Sequence, residues 1–356
     1  MSLWRFELKK ILFVQKGLFI LTVCLLFKLL FLSLFPEMKD SRIQLSQKQY
    51  DRYLQQLYGE NTQEKASFIR QEYENCKMTI GRKAAMEEAY RDGELTEEEW
   101  QAYILELDEA YLHQNAVEIF YEKEEQFSEQ SPETAPAHYI YEYGWQTVFT
   151  LQLFPDIFVL FGVLLVTAQC FSAEAASGML PLLLAAKKGR NSLFLAKLSA
   201  LSVTALAAAL LGGGLEAAVF VFRGWCNDSA APVYSISLFK DISLLEISLG
   251  QGYLLSLGVR TCVTLLLAGM FFGVSVWIKN TTNLLFAALC VLCVPMILSG
   301  TLGEKILLTH IGLLCGSRML MQLEASEIPW GLFVEIVAVY SGIVVCLAAR
   351  KHQKGL

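Results

Sequence analysis

Charged side chains are scarce: they make up 18% of the 356 residues, against 54% hydrophobic, and the mean hydropathy is +0.41. A soluble globular chain carries roughly a quarter charged residues. The deficit therefore excludes an ordinary water-facing surface for most of the chain and points to membrane-spanning segments. Signatures of chemistry are missing too. There is no G-x-x-x-x-G-K-[ST], no H-E-x-x-H and no G-x-S-x-G, so no phosphate loop, zinc site or nucleophile elbow is encoded. His113, His138, His310 and His352 do not cluster, and the Cys290/Cys293 pair lies in an apolar run without a histidine or second pair to complete a metal site. No catalytic, cofactor-binding or metal-ligating residue is expected, and the chain reads as a non-enzyme. The other cysteines are scattered, most of them in apolar runs as small hydrophobes.

What charge there is divides the chain. Residues 37–146 hold 24 of the 35 acids and 11 of the 29 basic residues, a net of -13, which leaves +7 elsewhere. Such asymmetry marks two environments. The basic remainder is spread over short loops, as suits anionic inner-leaflet lipid and not nucleic acid.

Phe (22), Tyr (14) and Trp (6) are plentiful, and a bilayer core of about 30 Å needs about 20 mostly apolar residues per helix. Six stretches meet that length: 17–35, 147–171, 193–222, 253–278, 284–303 and 330–349. Pro295 and Gly300 interrupt the fifth, and the apolar pieces 306–308, 311–314 and 319–321 after it could form a re-entrant or interfacial pair. Twelve Lys/Arg fall on one side of this topology, whereas Arg223, Lys240, Lys305 and Arg318 occupy the other. The basic side is the cytoplasm by the positive-inside rule, with both termini inside. The first span reads as an uncleaved anchor, since no A-x-A-like site follows it.

The expected fold is an all-α membrane protein with about six transmembrane helices and a large helical extracytoplasmic insertion. An interfacial helix and the first span take residues 1–36, the insertion 37–146, and five further spans 147–356 with a cytoplasmic loop at 172–192. Within the insertion, Trp100, Tyr103, Leu107, Ala110, Val117 and Tyr121 step by threes and fours. Asp92-Gly93 makes a stop and Thr96 with Glu99 a capping box. A pair of stalk-like helices is the simplest reading. The stretch from Glu88 to Glu99 faintly echoes a calcium loop, but Tyr90 at its third ligand position supplies no carboxylate and the required spread of oxygens is missing. Gly212-Gly213-Gly214 lies within the third span, where glycines permit close packing.

Two segments on the cytoplasmic side are amphipathic. Over residues 3–16, Leu3, Trp4, Leu8, Ile11 and Leu12 share a face, and Glu7, Lys9, Lys10 and Lys16 point away from it, as in a helix lying among headgroups. Residues 172–190, SAEAASGMLPLLLAAKKGR, exceed what a simple turn requires. The order basic start (Phe6-Glu7-Leu8-Lys9-Lys10-Ile11), span, outside loop, span, Glu174…Gly178…Leu182-Leu183-Leu184…Arg190…Lys197, then four spans resembles permease subunits of ABC-2 type transporters. That resemblance implies a coupling helix containing Glu174, Gly178, Leu182, Leu183 and Arg190, docked on a separate ATP-binding subunit. It also implies that the partner subunit binds ATP, that a second permease subunit, identical or not, completes the path, and that the location is the plasma membrane.

Finally, Lys28, Asp156, Glu216, Arg260 and Glu335 fall within the expected spans, each costing about 2.5–3.5 kcal/mol at a helix centre. A charge network at the outer mouth of a translocation path is the expectation, with snorkelling as the plainer alternative. A transporter permease subunit that exports a substrate with energy from a separate ATPase subunit is the leading functional reading; a non-transporting membrane receptor or scaffold whose outside helices bind a ligand or envelope component is the other.

Overall fold

The computed structural model describes residues 3–129, 136–176, 178, 189–239, 247–278, 280–297, 309–315, 320 and 330–354. Thirteen α-helices occur among them: α1 (Leu3–Lys9), α2 (Gly17–Leu34), α3 (Ser41–Leu57), α4 (Gln63–Gly81), α5 (Lys83–Arg91), α6 (Glu97–Glu129), α7 (Tyr143–Leu151), α8 (Ile157–Ala176), α9 (Gly189–Phe222), α10 (Leu249–Trp277), α11 (Thr281–Ile297), α12 (His310–Leu314) and α13 (Trp330–Lys354). Among the described residues the only strands are Gly59–Glu60 and His138–Tyr139, paired antiparallel. The fold is all-α.

The chain divides into two compact units. One comprises Met1–Pro36, Val148–Gly224 and Gly252–Leu356; the other comprises Glu37–Thr147 and Trp225–Gln251. The expected boundaries are corrected here, because 225–251 fall inside the expected bundle 147–356 yet belong with the polar unit. The reason is aromatic. Tyr234 joins the core built by Tyr50, Phe120, Phe127 and Tyr139, and the Trp145 indole donates to the Asn227 carbonyl at 2.5 Å. A Cβ at Gly144 would lie 2.7 Å from the Trp225 backbone, so only glycine admits that approach.

In the polar unit, α6 is 33 residues long and packs against α3 and α4. It buries Tyr103, Leu107, Val117 and Phe120, close to the expected stripe. Four helices replace the expected pair of stalks. The capping box forms, with Thr96 N–H donating to Glu99 Oε2 at 2.9 Å and Glu99 N–H to Thr96 Oγ1 at 3.3 Å. Gly93, at φ 76, makes the preceding turn. Tyr90 of the calcium-loop echo gives its hydroxyl to Glu97 and stacks on Trp100.

The other unit contains the apolar helices. Among the described residues three are long and apolar enough to cross a membrane, Gly17–Leu34, Asn191–Phe222 and Leu249–Trp277, whereas Ile157–Ser172 and Thr281–Val294 are apolar but shorter. The expected second span, 147–171, is two helices, α7 and α8, with a break at 152–156. Pro155 explains it, having no N–H and disfavouring helix in the residue before it. Asp156 then caps α8 by accepting from Val159 N–H at 3.1 Å. Residues 298–308, 319 and 321 of the fifth span and its re-entrant continuation lie outside the described residues, and 311–314 fall in α12. Small residues let helices close on α9: a Cβ at Gly212 would meet Val159, and one at Gly213 would meet Leu257. At the far end of α2, the Arg223 guanidinium donates to the carbonyls of Phe35, at 2.5 Å, and Ser33, capping the helix's negative pole.

Candidate functional site

The N-terminal segment is an elbow. Helix α1 runs into a π-helical turn, Lys10–Val14, and the chain reverses at Lys16 in the left-handed region (φ 56) before α2 begins. Gly17 allows the tightness, because a Cβ there would sit 2.6 Å from the Ile11 carbonyl oxygen. The rotation of α1 differs from expectation: Glu7 is 2% exposed and faces the helices together with Ile11, with Trp4 and Leu8 packed beside it. A face of Trp4, Glu7, Leu8 and Ile11 is one helical stripe, and a charged member is tolerated because it is met by an opposite charge. That charge is Lys197 in α9. Its ammonium donates to Glu7 Oε2 at 3.1 Å, Glu174 Oε1 at 2.6 Å and the Cys170 carbonyl at 3.1 Å. Lys10 donates to the same Glu174 oxygen. Two cations and two anions from α1, the π-turn, α8 and α9 thus form one neutral, largely buried cluster with Lys10 at its edge.

A second cluster joins α2, α8, α9 and α10. The Lys28 ammonium reaches Asp156 Oδ2 at 2.5 Å, Glu216 Oε2 at 2.8 Å and the Gly212 carbonyl at 2.8 Å. Arg260 donates to Glu216 Oε1 at 3.2 Å. Gln152 bridges Glu216 and Ser256, donating to the first at 3.4 Å and accepting from the second at 2.9 Å. Again the charges balance, and every hydrogen of the buried ammonium finds an oxygen, which the cost of desolvation demands. Four of the five charges expected within spans meet here. Glu335 does not: it is exposed on α13 and forms no ion pair among the described residues.

The clusters are set apart along shared helices. Lys197 and Glu216 are 19 residues apart on α9, about 28 Å at helical rise. That is close to the roughly 30 Å of a hydrocarbon core. The C-terminal end of α13 shares the first cluster's end, since His352 packs on Phe171 and Phe194 with centroids 5.9 and 5.5 Å away, and Lys351 lies over Trp277.

Of the residues that the transporter resemblance places in the coupling region, Glu174 is in the first cluster and Gly178 is a turn at φ 69. Leu182 and Leu183 lie outside the described residues, as does the side chain of Arg190, which opens α9. Glu7, Lys10 and Lys197 entered the sequence reasoning as parts of the amphipathic start and of the resemblance but not as site residues, and Gln152 and Ser256 were not named. Lys197, a cation inside an apolar run, was the available signal; the neutral pair gave none.

In the polar unit, a cavity of about 630 Å³ is lined by Asp40, Arg42, Glu122, Lys123 and Glu142, among others. Its charges are largely paired. Arg42 grips Glu122 through two contacts of 2.8 Å and also binds Asp40, and Lys123 stands 3.3 Å from Glu142. Hydrogen bonds from the Arg42 side chain hold the Asp40 carboxyl below the usual range, against the opposing effect of burial. Burial pushes the Cys226 thiol up to about 11, so it is a poor nucleophile at neutral pH. Among the described residues no group of three His, Cys, Asp or Glu could hold a metal ion. The two clusters join helices, and their carboxylates are held as ion-pair acceptors. No protein-family model matches the chain, and no curated protein is similar to it in sequence.

Proposed function

We propose that this chain is the membrane-spanning permease subunit of an ATP-binding-cassette transporter of the ABC-2 type, exporting its substrate with energy from a separate ATPase subunit. In this reading the chain crosses the plasma membrane six times with both termini in the cytoplasm, and two permease subunits flank the path. The observation that carries the proposal is the first charge cluster. It ties the elbow to α8 and α9 at Glu174, the root of the segment where the resemblance puts ATPase docking. A push delivered to 172–190 would therefore reach α2 and α9 together, as a coupled transporter requires. The spacing of the clusters supports a bilayer crossing by α8 and α9, and the shared end of elbow and α13 supports both termini on one side. The second cluster, at the other end of the same helices, would close the outer end of the path.

Purification of the tagged chain from native membranes tests the proposal. An ATP-hydrolysing subunit should accompany it, and the complex should hydrolyse ATP. If neither appears, a receptor or scaffold displaying the polar unit becomes the better reading. The crossing number is tested separately with an impermeant amine reagent, which should reach Lys351 only after the membrane is opened.

A further inference from the structure

The elbow has a second face, and the first cluster fixes where it points. Glu7 and Lys10 are held by Lys197 and Glu174, so α1 cannot roll. The opposite face exposes Leu3 (43%), Phe6 (54%), Phe13 (62%) and Val14 (74%). Arg5, Lys9 and Lys16 are exposed beside them. Glu7 is the segment's one acid, and it is buried against Lys197, so the outer face carries three cations and no anion.

We infer that this face binds anionic phospholipid headgroups. Arg5, Lys9 and Lys16 would meet the phosphates, and Phe6, Phe13 and Val14 the upper acyl chains. Two observations select lipid over a protein partner. First, exposed apolar residues resume past Lys16 with Leu18 (48%) and Phe19 (68%) of α2, a helix long and apolar enough to cross a membrane. Second, the bend at Lys16 places the elbow at the end of that helix, where cations interleaved with aromatic side chains match the boundary between headgroup and chain. Burying the only acid raises the face's complementarity to a negatively charged leaflet. The segment thus reads the leaflet's charge on one face and grips the root of 172–190 with the other. The inference rests on the reading that α2 crosses a membrane.

The test uses a photoreactive benzoylphenylalanine at Phe13, at Leu26 on the exposed side of α2 (58%), or at Ile11 as a buried control. The full chain is reconstituted in vesicles of phosphatidylcholine mixed with phosphatidylglycerol, and adducts are identified by mass spectrometry. The Phe13 and Leu26 probes should both capture lipid. Phosphatidylglycerol should be enriched at least about threefold over its bulk share at Phe13 alone. The combined variant Arg5→Gln, Lys9→Gln, Lys16→Gln should return the Phe13 adducts to the bulk ratio without altering those at Leu26. Lipid at Leu26 but only protein adducts at Phe13 would overturn the inference and leave the membrane reading intact. An unchanged lipid ratio in the triple variant would overturn the role of charge. No lipid at Leu26 would sink the membrane reading and the inference with it.

Discussion

Lys28 shows how a single charged side chain is kept inside an apolar unit. Its hydrogens are matched by Asp156, Glu216 and the Gly212 carbonyl, and the carbonyl is reachable because α9 has glycine there. Lys28→Met should cost about 3–5 kcal/mol, since it strands buried carboxylates. Adding Asp156→Asn should recover part of the loss, because Glu216 keeps Arg260. Equilibrium unfolding in bicelles measures both. Glu335→Gln, by contrast, should stay within about 0.5 kcal/mol. Both are acids or bases in apolar runs, and the run alone conveys depth but not which way a residue faces. That is why four of the charges were legible as a group and Glu335 was wrongly included with them. Asp40 carries a pH prediction. Its carboxyl is lowered in the folded state, so the stability it contributes is present above its unfolded value and is lost as pH falls through its folded one. Asp40→Asn should flatten the acid side of the polar unit's pH–stability curve.

Among the elements, those with local signals were legible. The Thr96 to Glu99 box and the Asp92-Gly93 stop fix the start of α6 within a few residues of sequence, and Thr96→Ala should cost about 1 kcal/mol of polar-unit stability in thermal melts followed by circular dichroism. The elbow was legible as a helix but not in its rotation. Glu7 looks like part of a solvated face until its partner is known, and that partner lies 190 residues away. Trp225–Gln251 was misassigned for the same reason, since the aromatic core that receives Tyr234 is built by helices far earlier in the chain. Gly17→Ala tests the elbow as an element. The added methyl would meet the Ile11 carbonyl, so the substitution should destabilise by about 1–3 kcal/mol and open the first 16 residues to proteolysis.

For the whole molecule, two compact units imply separable unfolding. Trp145→Phe removes the donor to the Asn227 carbonyl and should lower the polar unit's transition, by about 1–3 kcal/mol if that oxygen is left dry. The transition of the apolar unit should not move in the same calorimetric scan. The second cluster also has a consequence in time. Lys28 is synthesised 128 residues before Asp156 and 188 before Glu216. At about 5–20 residues per second, α2 must wait roughly 6 to 40 s for its counter-charges. During that interval the nascent helix carries an unneutralised ammonium, so under the proposed membrane crossing of α2 the insertion machinery has to shelter it or let it slide toward water. A ribosome-stalled chain ending before Asp156 should leave α2 extractable by alkali, and one that includes Glu216 should hold it in the membrane.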